Sequence, residues 1–176
     1  MSATAGTWEE RVAELWRTAA ERSDEEVLAA VTALAAERPT DDAAAAFEYA
    51  SALDYVGREH VAEALYRQAL AAGLDEQRRP RAVIQLASTV RNLGRPAEAV
   101  TLLQEEADRH SADEMSDAIA AFLALALLDS GRPEEAVVQS LSALAPHLRH
   151  YSRAVAHYAG EILREPREGI VGETSR

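Results

Sequence analysis

The sequence predicts an all-α fold made of stacked helix pairs, and three observations lead to that prediction. A Gly-Arg pair recurs at Gly57, Gly94 and Gly131, so that consecutive glycines are 37 residues apart, and a fixed spacing of this size is typical of helical repeats. Hydrophobic residues make up 48% of the 176-residue chain but aromatic residues only 5%, and this Ala- and Leu-rich mixture favours closely packed helices over sheets. Short turns separate the apolar segments, so we expect about nine helices with no long linker.

The first two helices are expected over about Trp8–Glu21 and Asp24–Glu37. Apolar residues recur three and four positions apart in the first segment, which is the spacing of one face of an α-helix. Ser23 and Glu26 have the pattern of a capping box, in which each side chain accepts a hydrogen bond from the other residue's backbone amide. Pro39 is expected to stop the second helix, because the residue before a proline disfavours helical conformation.

The next helix pair is expected on the two sides of Gly57. The third helix covers about Asp41–Tyr55, with Thr40 or Asp41 available to cap its free amide groups. Gly57 suits the left-handed conformation that ends many helices, and the fourth helix follows over about Glu59–Ala72. Together these two helices form the first predicted hairpin.

Prolines mark the starts of later helices. A loop over Leu74–Arg79 precedes Pro80, which fits the first turn of the fifth helix because an amide there needs no partner. Gly94 ends that helix, and Pro96 and Pro133 take the equivalent early position in the sixth and eighth helices.

The last three helices are predicted from similar signals. Ser111–Glu114 has the pattern of a second capping box, ahead of a seventh helix over about Asp113–Asp129. The eighth helix is expected to run to about Leu148, with its last turn distorted by Pro146. The ninth helix is expected over about Tyr151–Arg164.

Small side chains keep a fixed distance from each repeated glycine. They stand seven positions before it and five positions after it in all three copies, at Ala50, Ala87, Ala124, Ala62, Ala99 and Ala136. Such residues let the two helices of a hairpin cross closely. Continued by Tyr66 and Ala69, this order resembles the tetratricopeptide repeat, and the chain resembles a small bacterial protein of that family. Leu103, Ser140 and Glu106 depart from the pattern, and the period is about three residues longer than usual.

The resemblance implies a right-handed α-solenoid of antiparallel helix pairs, forming a single domain over residues 1–164. Its parts would be a divergent N-terminal pair, three repeats and a capping helix, at about 8–37, 41–73, 78–110, 114–148 and 151–164. The capping helix is expected to cover the apolar end of the array, because each repeat is stabilised by its neighbours. Residues 165–176 carry glycine and proline among charges and are expected to form a flexible tail.

Composition disfavours several classes of partner. The formal net charge of −12 opposes general binding to nucleic acid or anionic lipid, because both are polyanions. The longest apolar run, Ala118–Leu128, is too short for a bilayer span. The absence of cysteine excludes disulfides and thiolate metal sites, and Met1–Thr7 lacks the pattern of a signal peptide. We therefore expect a cytoplasmic protein with no nucleic-acid and no membrane partner.

Residues with catalytic or metal-binding potential do not form a recognisable set. His147, His150 and His157 lie close in sequence, but no carboxylate at helical spacing completes a metal site with them. The glycines do not cluster as a phosphate-binding loop requires, and no serine has the context of a nucleophile. The sequence therefore predicts a protein that is not an enzyme and needs no cofactor or metal. Small-ligand or metal sensing through these histidines is an alternative.

The predicted binding surface follows from the family resemblance. In tetratricopeptide proteins the first helix of each pair lines a concave groove that typically receives an extended or helical peptide. Mapping that face onto this chain implies the partner-binding residues Phe47, Ser51, Asp54, Tyr55, Arg81, Gln85, Ser88, Arg91, Asn92, Phe122, Arg153 and His157. Arg81 and Arg91 suit bidentate capture of a carboxylate or phosphate, unless they pair with acids such as Glu48, Asp54 and Asp129.

Two functions from different classes follow from this mapping. The first is a non-enzymatic interaction module or scaffold whose groove binds a peptide or a partner protein. The second is self-association into a homodimer through the aromatic and Leu-rich faces of the third repeat and the ninth helix. The chain has no lysine, so it lacks the Lys and Asn set with which some family members bind a C-terminal carboxylate.

Overall fold

The computed structural model describes residues 6–110 and 114–164, and these form nine α-helices and two 3₁₀ turns without any β-strand. In chain order the helices are α1 Trp8–Arg17, α2 Asp24–Ala35, α3 Ala43–Tyr55, α4 Glu59–Ala72, α5 Arg78–Asn92, α6 Pro96–Ala107, α7 Ser116–Asp129, α8 Pro133–Leu144 and α9 Ser152–Ile162. The 3₁₀ turns are Ala19–Glu21 and Ala145–His147. The all-α prediction is confirmed, whereas the predicted tail at 165–176 lies outside the described residues.

Capping boxes begin both N-terminal helices. The predicted box at Ser23 and Glu26 is present, with the Glu26 amide 3.3 Å from Ser23 Oγ and the Ser23 amide 2.9 Å from Glu26 Oε2. An equivalent box at Thr7 and Glu10, which the sequence reasoning did not identify, starts α1. In each box two amides that have no partner inside the helix are satisfied by side chains.

Two N-terminal boundaries differ from the prediction. The first helix stops at Arg17, where the Thr18 amide is shared between the Glu14 and Leu15 carbonyl oxygens, at 3.2 Å from each, and the backbone continues as a 3₁₀ turn. A shift from i−4 to i−3 bonding is common at the end of an α-helix. The cap of α3 is Asp42, which accepts from an amide of the first turn, rather than Thr40 or Asp41.

The C-terminal boundaries also differ. The helix α7 starts three residues later than predicted, and most of the predicted capping box at Ser111–Glu114 lies outside the described residues. The helix α8 ends at Leu144 rather than Leu148, since Pro146 lacks the amide that an α-helix needs and lies in the 3₁₀ turn. Tyr151, with a left-handed backbone at φ 67°, separates this turn from α9.

The repeated glycines end the first helix of each hairpin, as predicted. Gly57, Gly94 and Gly131 have φ values of 75°, 82° and 75°. In each copy the amide of the following arginine donates to the carbonyl oxygen five residues earlier, at 2.8, 3.0 and 2.9 Å. This arrangement satisfies carbonyl groups at a helix end and reverses the chain.

One continuous core runs through the three hairpins. The helices pack as the pairs α3 with α4, α5 with α6 and α7 with α8, and α3, α5 and α7 also contact one another in succession. All six repeated alanines are buried in this core, together with the aromatic ring of Tyr66. Close helix crossing at small residues therefore determines how the hairpins pack.

The ninth helix leaves part of the apolar end of the array exposed, in contrast to the expectation that it would cover that end. It packs on α8 and on the 3₁₀ turn Ala145–His147, and it makes no extensive contact with α7. Leu125 and Leu128 of α7 remain exposed, as does Val137 of α8. Between α8 and α9 the chain passes through the 3₁₀ turn that contains Pro146 and through the left-handed Tyr151.

Candidate binding groove

A hollow of about 470 Å³ opens between α3 and α5, and we call it the α3–α5 groove. Six predicted partner-binding residues line it, namely Ser51, Asp54, Tyr55, Arg81, Gln85 and Asn92. Three further residues complete the lining, Trp16 from α1, Glu59 and Tyr66 from α4. The mapping from the family resemblance therefore brings about half of its residues to one place.

A polar network holds the floor of the groove. Ser51 Oγ on α3 donates to Gln85 Oε1 on α5 at 2.8 Å. Asp54 Oδ2 accepts from Thr89 Oγ1 at 3.1 Å and from Tyr66 Oη at 3.4 Å. Because these bonds join α3 to α4 and to α5, the groove is held in shape without a ligand.

Burial raises the pKa values of two groups in this network, Asp54 and Tyr66. Burial raises the pKa of the Asp54 carboxyl; the hydrogen bond from Thr89 acts in the opposite direction, and the charge of Glu59 raises the pKa further. Burial also raises the pKa of the Tyr66 hydroxyl far above its ordinary value, so Tyr66 remains a hydrogen-bond donor at physiological pH.

Two of the predicted groove residues already have partners within the protein. Asn92 Nδ2 donates to Glu59 Oε1 at 2.9 Å, and its Oδ1 accepts from Arg91 Nη2 at 3.3 Å. Arg91 Nε also lies 3.5 Å from Asp129 Oδ2 on α7. The sequence left open whether the groove arginines pair with Glu48, Asp54 or Asp129, and for Arg91 the partner is Asp129. This pairing leaves Arg91 less available to a ligand.

Arg81 differs from Arg91 in its surroundings. Its guanidinium carbon lies 5.6 Å from the ring centroid of Phe47, and no Asp or Glu in the described part of the chain forms an ion pair with it. The side chain is exposed at the edge of the groove. Arg81 therefore offers guanidinium donors to a ligand, while the aromatic face below holds its position.

Phe47 is not a contact residue, contrary to the mapping. Its side chain is 0% exposed and packs against the Tyr66 ring, with centroids 6.2 Å apart. Phe47, almost three helical turns before Gly57, is covered by the Tyr66 ring on α4 and by the Arg81 guanidinium on α5. Phe47 thus supports Arg81 from below and cannot touch a partner directly.

Four predicted residues lie away from the α3–α5 groove. Ser88 is half-buried on α5, and Phe122 is half-buried against the core on α7. Arg153 and His157 are exposed on α9, which packs on α8. None of the four lines the groove, so the predicted set does not form a single surface.

Trp16 is a groove residue that the sequence reasoning missed. Its indole Nε1 donates to Glu48 Oε2 at 2.7 Å, and its ring meets that of Tyr55 edge to face, with centroids 6.1 Å apart. Glu48 is buried and also lies 3.5 Å from Arg78 Nε. Helical periodicity places Trp16 on an apolar face, but it does not show that this face meets α3 at the groove.

The three histidines of the metal-sensing alternative do not converge. His147 Nε2 lies 2.9 Å from Asp117 Oδ2, whereas His150 and His157 stand beside the rings of the tyrosines that follow them. Over residues 6–110 and 114–164, no group of three or more His, Cys, Asp or Glu residues is arranged to hold a metal ion.

The stacked hairpins, the glycine turns and the polar groove between successive first helices define an α-helical repeat protein of the tetratricopeptide class. A family model described as Tetratrico peptide repeat matches residues 43–162, so this chain belongs to the tetratricopeptide repeat family. Members of this family are generally protein–protein interaction modules and are typically non-enzymatic scaffolds. A search of curated proteins found no significant match.

Two solved structures share the fold. The first contains the nearly identical TPR-like repeats of a candidate kinesin light chain of Podosopora anserina, with a TM-score of 0.66, 19% identity, and coverage of 89% of this chain and 91% of that one. The second is MamA RS-1 in an ArsTM double mutant, with a TM-score of 0.57, 14% identity, and coverage of 95% and 100%. Among the helices described, none is long and apolar enough to cross a membrane.

Proposed function

We propose that this protein is a non-enzymatic interaction module whose α3–α5 groove binds an extended segment of a partner protein. Arg81 is the observation on which the proposal rests, since it is the lining cation and forms no ion pair with a described carboxylate. A guanidinium without an internal ion pair can bind a carboxylate of the partner, which can belong to an Asp or Glu side chain or to a C-terminus.

The rest of the lining supports an extended peptide as the ligand. Gln85 lines the same hollow with its Oε1 bonded to Ser51 and its Nε2 without a partner among the described residues, and such an amide group can hydrogen-bond to a peptide backbone. Tyr55 and Trp16 present aromatic surface at its other side, where an apolar side chain of the ligand can pack. We also propose a cytoplasmic location, with which the absence of cysteine is consistent.

Selection from a library of displayed peptides tests the proposal. The wild-type protein should enrich a set of related peptides that contain Asp, Glu or a free C-terminus. Arg81→Ala should lower the affinity for a selected synthetic peptide by about ten- to a hundredfold, because a hydrogen bond to a charged group contributes about 1.5–3 kcal/mol. Arg91→Ala should have a smaller effect, since Arg91 already pairs with Asp129.

Arg149 provides the matched control. It is an exposed arginine between α8 and α9 and does not line the α3–α5 groove. Arg149→Ala changes the net charge by the same amount as Arg81→Ala, so it should leave the affinity unchanged. If both variants lose affinity equally, general charge rather than the groove is responsible and the proposal is wrong.

A further inference from the structure

A second hollow, of about 510 Å³, lies between α7 and α8 at the C-terminal end of the array. The described residues that line it carry no charge, and they are Ala121, Ala124, Leu125, Leu128, Pro133, Ala136, Val137, Ser140 and Leu141. It is continuous through Ala121 and Ser140 with a smaller hollow of about 270 Å³ that reaches Leu144, Asp117 and His147. We call the two together the C-terminal slot.

Comparison with the first repeat shows which element packs on the equivalent face of α3. Counting back from each glycine, Leu125 and Leu128 correspond to Ser51 and Asp54 in the first repeat. There, Ser51 bonds to Gln85 and Asp54 to Thr89, and both of these partners belong to α5, the first helix of the next repeat. The face that carries Leu125 and Leu128 is therefore the stacking face on which the next helix would lie.

In the third repeat this stacking face is apolar, and no helix of the described part of the chain lies over it. Leu125 is 44% exposed and Leu128 is 54% exposed. Val137 is 47% exposed, whereas Val100, its equivalent in the second repeat, is only 4% exposed because α7 covers it. Single exposed apolar residues are common on protein surfaces, but several that lie together along one groove mark an interaction site.

The dimensions of the slot fit a short helix. Its α7 wall extends from Asp117 to Leu128, which corresponds to about 16 Å or three helical turns. Since α5 and α7 occupy the equivalent position in the first two repeats, a helix of similar length is the element that this face is shaped to receive.

Acidic residues at the two ends of the C-terminal slot indicate which charge a bound helix should carry. Asp117 lies at one end, where its Oδ2 is 2.9 Å from His147 Nε2. At the other end Asp129, which lies 3.5 Å from Arg91, and Glu134 follow the lining residues Leu128 and Pro133. Glu134 has no cation partner in the described ranges. A second copy of the chain would bring another net charge of −12 to this acidic surface, so a basic partner is complementary and a second copy is not.

We infer that the C-terminal slot binds an amphipathic α-helix of a partner protein, with an Ala- and Leu-rich face against α7 and α8 and with Arg or Lys at its flanks. This site is separate from the α3–α5 groove and does not depend on Arg81. A partner that uses both sites would be held by an extended segment at one and a helix at the other.

A model peptide tests the inference on the full-length protein. A fluorescein-labelled amphipathic peptide of about 18 residues, five helical turns, has Leu and Ala on one face and Arg on its flanks. Fluorescence anisotropy should show saturable binding to the wild-type protein. The double substitution Leu125→Asp and Leu128→Asp should weaken binding at least about tenfold. The substitutions add two negative charges, so simple attraction between the peptide and an acidic protein would instead strengthen it.

Four further measurements complete the test. Circular dichroism should show that the double variant keeps its helix content, because both leucines are exposed. Arg81→Ala should bind the peptide as the wild type does, which separates this site from the α3–α5 groove. A peptide with Glu in place of Arg should bind at least about tenfold more weakly, and equal binding would overturn the inference. Sedimentation that shows a wild-type dimer, dissociated by the double substitution, would also overturn it, because the occupant would then be a second copy.

Discussion

Two arginines of α5 differ in role because of their immediate neighbours. Arg91 lies 3.5 Å from Asp129 and donates to Asn92, so its charge is used within the protein. Arg81 has the Phe47 ring beneath it and no acidic partner in the described part of the chain. Position on a helix face thus identified both residues, but only the surrounding side chains show which one is available to a ligand.

Glu106 is another residue whose role depends on its neighbours. It stands where the family pattern has alanine, and it is 1% exposed. Arg79 Nη2 lies 3.3 Å from its Oε2, and His110 Nε2 lies 3.2 Å from its Oε1. A buried carboxylate is tolerated because these partners replace water, and it connects α6 to the first turn of α5.

We expect Glu106→Gln to destabilise the protein by about 1–3 kcal/mol, because the substitution removes charged hydrogen bonds at a buried position. Chemical denaturation with urea measures this change. Glu105→Gln is the matched control, since Glu105 is the exposed neighbour in the same helix, and its effect should stay within about 0.5 kcal/mol. Equal urea midpoints for wild type and Glu106→Gln would contradict the assigned role.

At the scale of the elements, the turns between paired helices depend on backbone conformation rather than on side-chain contacts. A Cβ added at Gly94 would meet no atom within 4 Å, yet its φ is +82°. A side chain at Gly94 would therefore meet no steric clash, but the left-handed backbone conformation is unfavourable for a residue with a Cβ. Gly160 offers the reverse case, because it lies inside α9 and also has open space around it.

Alanine at these two glycines should have opposite effects on stability. Gly94→Ala should destabilise the protein by about 1–2 kcal/mol, the cost of the left-handed conformation for a residue with a Cβ. Gly160→Ala should stabilise α9 by about 0.5–1 kcal/mol, because glycine loses more backbone freedom in a helix than alanine. Thermal unfolding should show a lower midpoint temperature for Gly94→Ala and a higher one for Gly160→Ala than for the wild type. A loss of stability in both would show that steric contact, not backbone conformation, controls these positions.

On the scale of the whole molecule, ion pairs connect successive repeats on the side of the second helices. Arg67 and Glu63 of α4 form a network with Arg95 and Glu98, which lie at the start of α6. The distances between charged atoms range from 2.5 to 3.0 Å. Networks of this kind contribute more than isolated surface pairs, and this one joins the first two repeats.

Acid should destabilise the folded protein. The hydrogen bond from Arg95 lowers the pKa of Glu63, and arginine hydrogen bonds likewise lower the pKa of Glu37 and of Glu135. A group whose pKa is lower in the folded state contributes stability above its unfolded value, about 4.3 for Glu, and loses it as the pH falls through the folded value. Asp54, with a raised pKa, acts in the opposite direction.

The urea midpoint should therefore stay nearly constant between about pH 7 and 6 and decrease below about pH 4. Glu63→Gln should decrease less over the same interval, because the variant lacks one of the groups that must take up a proton. A midpoint that increases on acidification would show that Asp54, rather than the arginine-paired glutamates, dominates the pH dependence.

Much of the fold could be predicted because its signals are local. The glycine turns, the Ser23 capping box and the small residues at helix crossings depend on neighbours in the same hairpin, and they are observed as expected. The ends of α1 and α8 were predicted less well. At α8 a single proline shifts the boundary by several residues, and at α1 the backbone changes to a 3₁₀ turn; periodicity does not resolve such effects.

The sequence by itself determined the repeat architecture, since a glycine every 37 residues and small residues at fixed distances from it encode one hairpin three times. Tertiary structure alone decided which surfaces are open. It buried Phe47, decided that Arg91 and not Arg81 has an acidic partner among the described residues, and left Leu125 and Leu128 exposed. The reason is physical: a repeat specifies contacts within and between hairpins, whereas exposure depends on which neighbour covers each face.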